Sequence, residues 1–495
     1  MPSFPSMHAV DFSPLSGFVC ALDADDGAAD WADDYAARLL STLGAQVRRG
    51  ARPAGRHPAI AWAQSGAMVL TGRADGPPQM CPLPLASCVD GVARALTALL
   101  AATGGRWQAA LPGVETLGER AALGGLVRQG PISAGGACRL LRAADGWLAV
   151  SLPRADDWDL LAAWLESESG FAAGAGDGDA AWQALAGLLR ERPLAALIER
   201  GRLLGLALAA VADVADIEQR PAAWFEARRI ATQARQRRCE PGYRPPLVVD
   251  LSSLWAGPLC SHLLQLAGAR VIKVESRQRP DGARRGAADF YDLMNHGKAS
   301  VALDFASSQG IAQLRALLAR ADIVIEASRP RALRQLGICA EDLIAANPRL
   351  SWLAISGHGR DAPQGEWIAY GDDAGVAAGL SGVMLDLTGE PMFCGDAIAD
   401  PLTGWHAALA ALAAYLGGGG QLVALALTDV ARHCAQFRLP GERAALHARW
   451  RDWQAEIAAA GIDAACLPLP RRAPAAARPL GADTAAILQE LGISC

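Results

Sequence analysis

The residues best placed to do chemistry lie in Pro391 to Leu409, PMFCGDAIADPLTGWHAAL, where Asp400 stands between a Gly-led turn and an apolar run. Pro401 follows it, and Pro is favoured at the first position of a helix. Asp is among the best N-cap residues, because its oxygens accept the unpaired N–H groups of the first turn. The sequence therefore predicts Asp400 at a helix N-terminus, where the dipole favours its charged form. A held, ionised carboxylate is what covalent carboxylate catalysis requires. A plain helix cap has the same signature, so local sequence leaves both readings open.

The elements that position this residue belong to a long chain. Its 495 residues imply about three domains. With 52% hydrophobic and 20% charged residues, it can bury real cores. A net charge of -5 argues against a nucleic-acid partner. The eleven cysteines are odd in number and scattered, which reads as reduced thiols in a cytoplasmic protein. There is no C-x-x-C or H-E-x-x-H, so no metal site is expected. The start, MPSFPSMHAV, lacks a basic region followed by an apolar core, and is read as no signal peptide. The runs Ala93 to Ala102 and Ala407 to Leu416 are too short to span a bilayer and read as buried helices, so no membrane partner is expected.

Before residue 134 the chain mixes short apolar runs with Gly and Pro breaks. Ala59 to Ala63 and Ala67 to Thr71 read as short strands or buried segments, and Val92 to Ala102 as a helix. Asp145-Gly146 between Cys138 to Ala144 and Trp147 to Leu152 is a hairpin signal. Helices follow at Asp156 to Glu166 and Ala181 to Arg192, and Pro193 to Ile198 starts a third; Ala172 to Ala180 reads as a loop. Arg228 to Arg238 reads as a basic surface stretch before the linker EPGYRPP, residues 240–246. Beyond it, Leu247 to Leu251, the helix Leu259 to Ala267 and Arg270 to Glu275 form a βαβ unit, which implies a parallel sheet. Ser300 to Asp304, Gln309 to Arg320 and Ile323 to Glu326 form another, and Leu350 to Ile355 and Gln421 to Leu427 are further strands.

The chain also repeats itself. ADDYAARLLSTLGAQV (Ala32 to Val47) matches AGPLCSHLLQLAGARV (Ala256 to Val271) at an offset of 224. Ser65-Gly66 with Thr71-Gly72 mirrors Ser381-Gly382 with Thr388-Gly389. Ordered matches imply a duplicated unit. The copies are unequal, since the second holds about 75 residues before Gly359 that the first lacks. If Gly91 pairs with Gly404, the counterpart of Asp400 is Ser87, which has no carboxylate.

From Leu247 onward the chain resembles the class III CoA-transferases, the superfamily that includes formyl-CoA transferase, carnitine-CoA transferases and α-methylacyl-CoA racemase. The resemblance is carried by VVDLSSLWAGPLCSHLLQLAGARVIKVE (Val248 to Glu275), NHGKASVALDF (Asn295 to Phe305), ADIVIEASRP (Ala321 to Pro330), NPRLSWLAISGHG (Asn347 to Gly359), GDAIADPLTG (Gly395 to Gly404) and the tail RPLGADTAAILQELGI (Arg478 to Ile493). GGACRLLRAADGWLAV (Gly135 to Val150) looks like the start of the family's small domain.

The resemblance implies an α/β fold: a Rossmann-like parallel sheet with flanking helices, duplicated, plus a small α+β domain. The expected domains are a degenerate first-copy lobe (1–134), the small domain (135–239), the linker (240–246), the catalytic lobe (247–430) and a C-terminal helical segment returning to it (431–495). It implies Asp400 as the nucleophile that carries CoA from an acyl-CoA to a free carboxylic acid through aspartyl anhydride and aspartyl-CoA thioester intermediates. Coenzyme A would be a substrate and not a permanently bound cofactor. Contacts to it would come from Trp255, Ala256, Gly257, Pro258, Arg277, Arg284, Lys298, Leu303 and Arg329. Asp372, Asp373 and Gly395 would line the site, and the turns at Gly357 to Gly359 and at Gly395 are candidate oxyanion donors. An acyl-CoA racemase or isomerase of the same fold and a non-catalytic CoA-binding subunit remain as alternatives. The family's interlocked homodimers make either a homodimer or an intramolecular pseudo-dimer the expected assembly.

Overall fold

The structure is a computed structural model, and it describes residues 12–23, 30–50, 55–104, 110–166, 178–232, 245–462 and 467–494. The first described elements are β1 (Val19–Asp23), the helix Trp31–Thr42 and β2 (Gln46–Gly50), a parallel βαβ unit. The small domain pairs β3 (Cys138–Arg142) and β4 (Trp147–Ser151) across the D-G turn, and β5 (Ala207–Ala210) adds to β4. Its helices cover the sheet with their own core of Leu and Trp side chains.

The main sheet contains β6 (Glu226–Arg229), β7 (Leu247–Asp250), β8 (Arg270–Ser276), β9 (Ala299–Leu303), β10 (Ile323–Glu326), β11 (Ser351–Ser356) and β12 (Gln421–Ala426). Their order is β6-β12-β11-β10-β7-β8-β9, parallel except for β6. Strands β7 and β10 are buried at every residue, as expected of a sheet covered on both faces. The chain runs outward from β7 to β9, then returns to β10 on the other side of β7. That places a topological switch point between β7 and β10, where doubly wound sheets bind ligands.

Several expectations change. The helix Pro58–Gln64 replaces the strand reading of Ala59 to Ala63, because Pro58 starts a turn that His57 caps. The helix of the first copy begins at Leu85 and runs to Ala102. By length and composition it is apolar enough to cross a bilayer, yet most of it is buried in the core. Asp156 to Glu166 divides into two short helices, Ala155–Asp159 and Leu161–Leu165. The small domain ends earlier than residue 239, since β6 pairs antiparallel with β12 in the main sheet. The expected loop at 172–177 and most of the linker, 240–244, lie outside the described residues.

Packing establishes the duplication. A Cβ on Gly91 would lie 2.7 Å from the Ala32 carbonyl oxygen, and one on Gly404 would lie 2.8 Å from that of Ala256. Ala32 and Ala256 are the pair at offset 224, so the same helix crossing occurs twice with the same glycine at its closest point. The helices Pro58–Gln64 and Gly371–Ala377 correspond residue for residue at the offset of 313 that relates Gly91 to Gly404. Each ends on a left-handed glycine, Gly66 (φ +82°) and Gly379 (φ +101°). Gly66 thus pairs with Gly379, and Gly382 lies inside the helix Leu380–Thr388. The offset rises from 224 to 313, so the second copy carries a net 89 residues that the first lacks, including β9, β10 and β11.

The copies pair within the chain. Cys81 and Cys394 stand at the same offset of 313, both are buried, and the Cys81 thiol raises the pKa of Cys394. One continuous hydrophobic core takes residues from both copies. The C-terminal segment closes over them: Arg443–Ala460 packs on Pro58–Gln64, and Thr484–Glu490 packs on β9.

Candidate active site

The helix Ala399–Leu416 is the centre of the core. Every residue in it is buried except Asp400, which is half-buried. A helix apolar on all faces must be enclosed by other elements. Here these are Ala256–Leu266, Leu85–Ala102 and Leu427–Gln436.

Asp400 does not cap its own helix. The N-cap is Ile398, with helical φ -55°, and the Asp400 N–H donates to the Ala397 carbonyl at 2.9 Å. Its carboxylate instead accepts from the Ala256 N–H, at the start of the helix Ala256–Leu266. On its other side is Gly371, where an added Cβ would fall 2.3 Å from Oδ2. The sequence had the right residue at the right helix end, but its oxygens serve a neighbouring helix.

A cluster of charge surrounds it. Arg120, on the first-copy helix Thr116–Gly124, binds Asp396 through two N–H···O bonds, one of them 2.8 Å long from Nε to Oδ2. The Arg120 guanidinium also lies 5.2 Å from the centre of the Trp255 ring. Asp372 accepts from the Ala397 N–H at 2.9 Å and bonds to Ser133. One guanidinium therefore serves Asp372, Asp396 and Asp400 together.

The balance of forces on Asp400 runs against the expectation that it is fully ionised. Burial raises its pKa to about 7; Asp372 and Asp396 add to the rise, while Arg120 and the Ala256 N–H oppose it. Burial and Asp396 likewise bring Asp372 up to about 6. Burial holds Asp373 well above the carboxylate range, although its Oδ1 accepts from the Tyr370 N–H at 2.9 Å. Desolvation and two like charges outweigh one guanidinium. Asp400 is thus a basic carboxylate, a good nucleophile once ionised.

The expected coenzyme contacts divide into two groups. Trp255 ends the turn from β7, and Ala256, Gly257 and Pro258 open the helix that follows, at the switch point. Arg329 lies at the far lip of the same crevice, after β10. It makes no ion pair among the described residues, and burial with Arg331 and Arg154 nearby lowers its pKa. Arg277 is exposed, and its Nε donates to the Ala302 carbonyl at 3.3 Å.

Two expected contacts are corrected. The Lys298 ammonium is buried and bonded to Asp250, Pro258 O, Ser261 and Asn295, so it braces the turn from beneath. Arg284 is a bidentate partner of Glu275, with bonds of 2.9 and 2.6 Å, so its charge is already neutralised. Leu303 is buried at the end of β9. Two expected oxyanion donors are also occupied. The Gly395 N–H donates to Thr71 Oγ1 at 2.9 Å and that of Gly359 to Ser356 Oγ at 3.1 Å.

Sequence reasoning passed over Arg120, Asp396, Ser133 and Thr71. Asp396 stands four residues before Asp400 and was legible beside it. Arg120 gave no local signal, because it lies 280 residues away in the copy read as degenerate.

The fold and site define a doubly wound α/β protein with a raised-pKa carboxylate at its switch point. Residues 246–459 match the family model CoA-transferase family III. Similar proteins include a succinate–glutarate CoA-transferase from Agrobacterium fabrum, 34% identical over 38% of this chain and 53% of that one. A succinyl-CoA–D-citramalate CoA-transferase from Chloroflexus aurantiacus is 29% identical over 41% and 54%. The chain spans about half the length of the curated relatives it matches. Among solved structures, a hypothetical protein from Mycobacterium tuberculosis is 33% identical over 37% of this chain and 55% of that one, with a TM-score of 0.35. A CAIB/BAIF family protein from Brucella suis is 29% identical over 46% and 58%, with a TM-score of 0.34.

Proposed function

We propose that this chain is an acyl-CoA:carboxylate CoA-transferase with a single active site at Asp400. The observation that carries the reading is the one half-buried carboxylate of an otherwise buried helix, set at the sheet's switch point within the family segment. In its ionised form Asp400 attacks the thioester carbonyl. The C–S bond breaks, leaving an acyl-aspartyl anhydride and CoA thiolate. The thiolate attacks the aspartyl carbonyl and releases the first acid as a carboxylate, giving an aspartyl-CoA thioester. The acceptor carboxylate attacks that thioester and expels CoA thiolate. The thiolate then takes the acyl group and frees Asp400. Each exchange is divided into steps that need no added base.

Coenzyme A enters and leaves as substrate, and we place the chain in the cytoplasm. Relatives named for succinate, glutarate and citramalate make short dicarboxylic acids the first acceptors to try. Mass spectrometry after incubation with an acyl-CoA tests the reading: an adduct on Asp400 and isotopic CoA exchange into a free acid are expected. Exchange that survives Asp400→Ala would overturn it.

A second reading, α-proton exchange on an acyl-CoA, draws on Asp372, a second carboxyl of raised pKa beside Asp400. Two such groups can pass a proton to and from carbon. It predicts solvent deuterium in the acyl-CoA with no acceptor present.

A further inference from the structure

Residues 467–478 form neither helix nor strand, yet they are held tightly against both copies. A Cβ on Gly66 would lie 2.6 Å from Pro468 Cδ, and one on Gly118 would lie 3.1 Å from the same atom. This strap therefore rests directly on first-copy backbone. It then crosses to the second copy. There Arg472 pairs with Asp289 at 3.1 Å, and the Ala477 N–H donates to Asp292 Oδ1 at 2.8 Å. Between these anchors stands Arg471.

Arg471 forks onto the buried Glu119, from Nε to Oε1 at 2.7 Å and from Nη2 to Oε2 at 2.8 Å. Its backbone N–H also donates to Oε1, at 3.0 Å. A fork of this kind fixes direction as well as distance. Glu119 directly precedes Arg120 on the helix Thr116–Gly124. Neighbouring side chains on a helix point about 100° apart. The strap thus grips that helix on one side, while Arg120 reaches Asp396 from another. The remaining Arg471 nitrogen, Nη1, lies 3.3 Å from His262 Nε2. A guanidinium only donates, so Nε2 accepts. Burial, with Arg471 alongside, holds the His262 pKa well below its usual value and keeps the ring neutral. His262 belongs to the helix Ala256–Leu266, whose first N–H meets the Asp400 carboxylate. One side chain therefore touches both helices that favour charge on Asp400.

We propose that Arg471 is a positioning residue for Asp400, holding the helix that carries Arg120 and the helix that begins at Ala256 in place around the nucleophile. The charged groups that face Asp400 are Arg120, Asp372, Asp373 and Asp396. Arg471 is not among the main electrostatic influences on it, so geometry and not its own charge is the agent. A fork that served stability alone would leave the titration of Asp400 where it is. The consequence for rate rests on the CoA-transfer reading; the coupling to the Asp400 carboxyl stands apart from it. The C-terminal strap, remote from the nucleophile in sequence, thereby helps to set its charge.

The test follows two readouts on the full chain. One is infrared difference titration of the Asp400 carboxyl, assigned by its loss in Asp400→Asn. The other is the CoA-exchange rate against pH. In the unaltered chain both are expected to centre near pH 7. Arg471→Met combined with Glu119→Gln removes the fork without stranding a buried charge or altering the net charge. It should move both midpoints about 0.5–1 unit alkaline and slow exchange at pH 6 about 3- to 10-fold, with circular dichroism unchanged. In an Arg120→Gln background the same pair should add less than about half of that shift. Arg471→Lys keeps the charge and loses the fork, so its shift should be intermediate. Arg472→Gln removes an exposed charge from the same strap and should leave both midpoints in place. Unmoved midpoints in the folded pair variant, a shift undiminished in the Arg120→Gln background, or an equal shift in Arg472→Gln would overturn the proposal. Where circular dichroism shows the pair variant unfolded, Arg471→Lys carries the test, and an unmoved midpoint there overturns it. A carboxyl midpoint that moves as expected in a chain that exchanges CoA with no acid would sink the transferase reading and leave the positioning role standing.

Discussion

Asp400→Asn separates the two readings its sequence left open. If Asp400 were a cap, losing its charge would cost about 1 kcal/mol or less at any pH, because Asn also caps well. The structure predicts the opposite sign. The Asp400 pKa rises from 3.8 to about 7 on folding. A raised pKa means that the folded state prefers the neutral form. Its stabilising contribution is complete below pH 3.8 and is lost as pH rises through about 7. Three units at 1.36 kcal/mol each give about 4 kcal/mol by pH 8.5. Coupling to Asp372 spreads part of that over the pair, so about 2–4 kcal/mol is the expected gain for Asp400→Asn at pH 8.5. The gain should shrink toward zero near pH 4. Urea unfolding followed by circular dichroism at pH 4.5, 6.5 and 8.5 measures it, alongside CoA exchange, which should vanish. A variant that is less stable than the parent chain at pH 8.5 would refute the account of the site's electrostatics. A gain that stayed the same across pH would assign the effect to packing.

Other perturbations follow from the same geometry. Arg120→Gln removes the one cation among three carboxylates, so the rising limb of the exchange-rate profile, centred near pH 7 through Asp400, should move about one unit alkaline; an unmoved limb would detach Arg120 from the nucleophile. Gly371→Ala places a methyl 2.3 Å from Asp400 Oδ2, and should cut exchange about 100-fold or more while circular dichroism stays unchanged. Gly91→Ala and Gly404→Ala crowd the carbonyls of Ala32 and Ala256 at 2.7 and 2.8 Å. Each should lower stability by about 1–3 kcal/mol in urea unfolding, and a large difference between them would argue that the two crossings are not equivalent.

Much of the second copy was legible because its signals are local. Strands β7 to β12 fall within a residue or two of their sequence positions, since each is a short apolar run between turn residues. The first copy was harder. Ala59 to Ala63 is apolar without a period that separates strand from helix over so few residues, and only Pro58 tips it. The repeat was visible, but its register after Gly66 slipped by three, because Ser-Gly pairs recur and only the left-handed turn at Gly379 fixes the match.

By itself the sequence determined the parallel sheet, the hairpin of the small domain, the duplication and the choice of Asp400 as the residue to watch. These rest on interactions within a few tens of residues, which patterns of apolar, glycine and proline residues record. Tertiary structure alone decided the electrical state of that residue. Arg120 arrives from the other copy, Ala256 offers its N–H from another helix, and Asp372 comes close only because Gly371 lets the backbone approach. It also decided which cations are free, neutralising Arg284 and burying Lys298 while leaving Arg202 and Arg329 unpaired among the described residues. Charge and desolvation act through space, and sequence distance carries no record of them.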